Sequence, residues 1–216
     1  MKKIALLSGI FVFFVGCSFK TPKNQWQYQS TKAFNSYEKN FLMGNDILAF
    51  YDLKLAIQHA KQSANLTQLG TIYLGECALH KIVGQQDKCQ KYKKIAPLIH
   101  NKQLNAYDDF INLSFQKKEI HLLPKQYHLY ATYLLQKDFL KAQDTIIKTK
   151  KPISQFLMAS LIKTKLNDKT REKILHQASL YGYKKLVIFW LKEIKNNTQN
   201  EELKKEAEEK LNVLLP

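Results

Sequence analysis

The chain has 216 residues, with 34 lysines and arginines against 18 aspartates and glutamates, for a formal charge of +16. At 45 % hydrophobic residues it carries enough apolar surface for a core, which excludes a disordered polyelectrolyte. Such a charge suits nucleic acid, anionic lipid or acidic glycan as partners. It also suits lysines spread singly over helix faces, and the absence of any block of five or six like charges favours this last reading.

The first segment is the most specific. Met1-Lys2-Lys3 is basic, residues 4–15 are apolar apart from Ser8 and Gly9, and Gly16 and Cys17 close the run. This is the pattern of a secretory signal peptide. Spanning a bilayer takes roughly 20 apolar residues, more than the run provides, which argues against a transmembrane anchor. Phe14-Val15-Gly16-Cys17 resembles the lipobox of bacterial lipoproteins, with Phe14 where that family most often has leucine. The resemblance implies cleavage after residues 1–16 and acylation of Cys17. It places the protein in the envelope of a Gram-negative bacterium, lipid-anchored and facing the periplasm. Ser18, in place of the aspartate that retains many lipoproteins in the inner membrane, points to the outer membrane. The membrane is then a partner through the anchor, and nucleic acid drops out despite the charge. Secretion without a lipid is the competing reading.

Residues 17–24 read as the lipidated terminus and a tether that reaches some 25 Å. From Gln25 onward the apolar spacing is helical and no strand is predicted, so residues 25–216 form one all-α domain. Gly44-Asn45, Asn65 and Gly84 separate the first runs, and Pro97, Pro124 and Pro152 punctuate the middle. Asn167-Asp168 is an N-cap signal with Glu172 in the next turn, and Gly182 sits between two apolar runs. Asn200 with Glu201 and Glu202 opens the last helix, which puts Leu203, Ala207, Leu211 and Leu214 on one face. Nine to eleven helices joined by short turns are expected as antiparallel hairpins.

The first hairpin resembles the tetratricopeptide family, with Gly44 at the turn, Ala49 at the small crossing position, Leu53 at the large one and Ala56-Ile57 as the final pair. A second unit follows with Gly84 at the turn and Cys89 and Ala96 at small positions. Looser matches run over residues 127–149, with Phe139 and Ala142, and over residues 171–194, with Ala178, Gly182 and Trp190. The resemblance implies a right-handed solenoid of stacked hairpins. Trp26, Phe34, Tyr37 and Phe41 of the first helix depart from the family pattern and read as core.

With Cys17 taken by lipid, Cys77 and Cys89 remain, and an even pair in an oxidising compartment reads as a disulfide. In the repeat register the two fall on facing small positions, where paired helices approach closely enough for the bridge. A metal site built on Cys77, His80 and Cys89 would want a fourth ligand, so neither a metal nor a cofactor is expected.

Chemistry beyond this is sparse. Walker, H-E-x-x-H and G-x-S-x-G motifs are missing, and no two histidines stand at i, i+4. Glu76 and Glu119 are the strongest acid candidates and neither has a visible partner. No enzymatic activity is expected. Tyr127, Tyr130 and Tyr133, spaced i, i+3, i+6, and Tyr181 and Tyr183 around Gly182 are the candidate partner-binding residues, with packing between hairpins as the competing role. The function expected is a protein–protein interaction scaffold for an envelope protein. The alternative is an envelope structural protein that binds peptidoglycan or anionic lipid through its basic surface.

Overall fold

The structure, a computed structural model, describes residues 23–215. The signal peptide and the acylation expected at Cys17 lie outside the described residues. Among the described residues eleven α-helices follow one another: α1 (Gln25–Met43), α2 (Asp46–Ala60), α3 (Thr67–Ile82), α4 (Gln90–Ile99), α5 (Lys102–Ile111), α6 (His128–Leu135), α7 (Phe139–Lys148), α8 (Pro152–Leu161), α9 (Asp168–Leu180), α10 (Lys184–Asn197) and α11 (Glu201–Leu214). Short 3-10 turns occupy Lys117–Leu122, Lys125–Tyr127 and Lys163–Lys165, and there is no strand among the described residues. The all-α class holds. No described helix is long and apolar enough to cross a membrane.

The helix ends follow local chemistry. Gly44 closes α1 at φ 85°, a left-handed conformation that glycine adopts without steric cost. The side chains of Asn101, Asp138, Asn167 and Asn200 each accept a backbone N–H in the first turn of α5, α7, α9 and α11. Pro152 starts α8, where its missing N–H is no loss. Pro97 departs from expectation. It sits inside the last turn of α4 rather than in a break, and the helix ends three residues later at a left-handed His100.

The centre of the molecule is α8, whose residues from Ser154 to Ser160 are all buried. A helix covered all round must be enclosed by others. One of its neighbours is α3, with nine buried residues. Trp190 on α10 is fully buried, and α10 touches α1, α9 and α11. Arg171, the sole arginine, is buried in α9, where it donates to Asp168 at 2.8 Å. The N-terminal hairpin also meets the C-terminal part: Lys185 of α10 pairs with Asp46 and lies 4.1 Å from the centre of the Phe41 ring. Contacts α3–α8 and α1–α10 go beyond those of a stack in which each hairpin touches only the next.

Cys77 and Cys89 are joined, with Cα atoms 5.3 Å apart. The route to that proximity differs from the one expected. Cys89 is not inside a helix facing Cys77. It occupies a left-handed position just before α4, at the end of a loop that folds back over α3. Asp87 shapes this loop: one carboxylate oxygen accepts the Cys89 N–H at 2.7 Å and the other meets His80 Nδ1 at 2.6 Å.

Beneath the bridge lies a polar network. Asn112 donates to Asp108 at 2.8 Å and to the Cys89 sulfur at 3.6 Å, while Lys81 donates to Asn112 at 3.0 Å. Burial pushes the Asp108 carboxyl up to about 6, against the pull of Lys93 and Lys81. A carboxyl raised above its unfolded value costs stability when ionised, so stability falls as pH rises from about 4 through 6. Asp108→Asn keeps an oxygen for Asn112. It is expected to be more stable than the parent by about 1–2 kcal/mol at pH 7 and to converge with it near pH 4, read by urea unfolding at the two pH values.

Candidate partner-binding groove

The structure separates the five tyrosines. Tyr127 and Tyr130 are core: the Tyr127 hydroxyl donates to Ser154 at 3.1 Å, the Tyr130 hydroxyl donates to the Met158 carbonyl at 2.5 Å, and both rings pack on Phe110. They fasten α6 and the 3-10 turn before it to the central α8. The expectation that they line a binding face is corrected here, since Tyr130 has no exposed surface and Tyr127 almost none. What little Tyr127 shows faces an apolar cleft of about 520 Å³, walled by Phe34, Leu74, Tyr107 and Leu122. Steps of three residues turn a helix by 300°, so the i, i+3, i+6 series drifts by about 120° in all. That drift carries Tyr133 out of the core to the surface.

There Tyr133 lines a groove of about 530 Å³ between α6 and α7, continued by the segment that leads into α8. Five lysines line it: Lys125, Lys141, Lys148, Lys150 and Lys151. One carboxylate, Asp144, opposes them, and Leu129 adds an apolar wall that is 63 % exposed. Lys141 is tied to Asp138 at 3.0 Å and sits 5.7 Å over the Tyr133 ring. The backbone and side chain of Lys141 together hold the Asp138 carboxyl below its usual range. Among the described residues the other four lysines form no ion pair. Like charges converging on one concavity repel one another until counter-charge arrives, and an aromatic and a leucine beside them supply apolar contact. The geometry suits an acidic segment that also carries apolar side chains.

Tyr181 and Tyr183 stand apart from this groove, at the turn between α9 and α10. Their rings stack at 5.3 Å, Tyr183 leans edge-on against Phe156, and burial raises the Tyr183 hydroxyl pKa. Tyr181 is exposed and Tyr183 half-buried.

The two acid candidates are engaged. Glu119 accepts the Gln116 N–H at 2.6 Å at the start of a 3-10 turn. Glu76 is buried and accepts from Lys91 at 2.6 Å, beside the disulfide. A larger groove, about 620 Å³, lies between α9, α10 and α11, with an apolar floor of Leu175, Leu191 and Ile194 and charges of both signs at its edge.

The lysine groove was legible only in part. Lys148, Lys150 and Lys151 fall within four residues immediately before Pro152, which is a local density of charge. Nothing in the spacing shows that this run folds beside Tyr133. No family model, no curated protein and no solved structure matches the chain.

Proposed function

We propose that the protein is a lipid-anchored, non-enzymatic scaffold of the cell envelope that holds an acidic segment of a partner protein. The observation that carries this reading is the groove of five lysines around Tyr133 and Leu129, opposed by a single aspartate. The signal-peptide pattern and the lipobox-like ending at Cys17 support the location, in the periplasm and at the outer membrane. The disulfide fits an oxidising compartment.

The test is crosslinking in cells, followed by capture of the tagged full chain. The parent is expected to recover envelope proteins in fixed amounts. Lys148→Glu, Lys150→Glu and Lys151→Glu together should lower that recovery about tenfold, because reversed charge repels an acidic partner. Equal recovery by parent and variant, or recovery of lipoprotein-processing enzymes alone, rejects the proposal. The same lysines would also serve contact with an anionic polymer such as peptidoglycan. In that case the parent sediments with cell-wall sacculi, and added salt releases it by screening exposed charge beyond about 8–10 Å.

A further inference from the structure

Helix α2 is built inside out. Its buried side is Ala49, Ala56 and Ala60, small residues that let the α1 backbone approach until Ser30 donates to the Ala56 carbonyl at 2.9 Å. Its large apolar side chains face outward instead: Ile47 is 75 % exposed, Phe50 63 % and Tyr51 61 %, with Leu48 and Leu55 beside them. At 100° per residue these five span an arc of about 160°, with exposed Gln58 at its middle and Lys54 about 40° to one side. A surface helix ordinarily shows solvent its polar side, and an outer face that carries five large exposed apolar side chains marks a contact.

Charge narrows the occupant. Both acids of α2 are held to the sides, Asp46 by Lys185 and Asp52 by Asn40 at 2.7 Å. Lys54 and Lys61 are exposed and form no ion pair among the described residues. A second copy packed antiparallel about the middle of the helix would set Lys54 against Lys54. An anionic bilayer accepts the same arrangement, because lysine extends its ammonium to the headgroups while phenylalanine, tyrosine and leucine enter the acyl boundary. Reach agrees as well. Gln25 is eight residues beyond Cys17, at most about 28 Å of chain, and the hairpin brings the end of α2 back toward the start of α1.

We propose that the outer face of α2, formed by Ile47, Leu48, Phe50, Tyr51 and Leu55, lies in the surface of an anionic bilayer. The choice of a bilayer over a protein rests on the acylation of Cys17 put forward above.

The full chain, purified from cell membranes, is placed on vesicles of phosphatidylcholine and phosphatidylglycerol, three to one, with brominated acyl chains. A tryptophan reporter, Tyr51→Trp, is expected to be quenched beyond the parent signal of Trp26 and Trp190. Adding Leu48→Ser and Phe50→Ser should cut the extra quenching several-fold with the helical circular dichroism unchanged. Vesicle-bound protein whose new tryptophan stays unquenched overturns the proposal. So does a reporter that shifts to the blue with rising protein concentration and no lipid, which assigns the face to a second copy. The mass of the N-terminal peptide separates the two readings. If it carries no acyl group the anchor fails, and quenching of the protein added to preformed vesicles still decides the face.

Discussion

Trp190→Ala is expected to cost about 3–5 kcal/mol, a large share of the stability of a domain this size. Trp190 is fully buried on α10, the helix that joins α1, α9 and α11, so its removal leaves a cavity that several elements border at once. Trp190→Phe provides the contrast. The indole Nε1 is buried without a hydrogen-bond partner, so the benzyl ring gives up volume but also removes an unsatisfied donor. It should cost less than about 1.5 kcal/mol. Urea unfolding of the two variants checks the pair. A loss for phenylalanine as large as for alanine would mean that the indole nitrogen has a partner in solution.

The second large effect is that of the bridge. Cys77→Ser should destabilise the domain by about 3 kcal/mol, since cross-linking residues twelve apart removes loop entropy from the unfolded chain. For a domain of this size that corresponds to roughly 6–12 °C in Tm. Neither Cys77 nor Cys89 should react with iodoacetamide in the native parent, and Cys89 should react in the Cys77→Ser protein. Labelling of both thiols in the native parent rejects the bridge. The bonds from the Cys89 N–H to Asp87 and from Asn112 to Asp108 do not run through the sulfurs, so the loss should stay near the loop term and leave the helical content unchanged.

Punctuation was the part of the fold most legible in the sequence. Gly44, Asn167, Gly182 and Asn200 each stand where a helix ends or begins, because left-handed turns and side-chain caps depend on a residue or two. Pro97 was misleading because proline's cost falls on the residues before it. Near the C-terminal end of a short helix the remaining hydrogen bonds still close the turn. The structure joins Cys77 and Cys89 as parity and an expected oxidising compartment suggest, but the geometry comes from a folded-back loop whose determinant, Asp87, looks like any other surface acid in the sequence. The tyrosines show the main limit. The spacing of Tyr127, Tyr130 and Tyr133 defines a helix face but not what lies across from it. Tertiary packing against α8 took two of them inward and left the third beside lysines from the turn before α6, from α7 and from the segment that leads into α8. The outward face of α2 was hidden for a similar reason. Its apolar pattern runs all round the helix, so sequence cannot say which side is covered.

The ion pair between Asp46 and Lys185 joins residues 139 apart in the chain. Gly84 likewise sits under the ring of Phe189, so close that an added Cβ would strike it at 2.4 Å. A linear array can begin to fold at any unit and spread to its neighbours. Here the first hairpin and the loop after α3 are completed by a helix that comes near the end of the chain. The search for that contact carries the entropy of closing a very long loop, which slows folding. Until α10 arrives, Phe41 and the Gly84 turn have no cover from it, and the last third of the polypeptide serves as the clasp for the first.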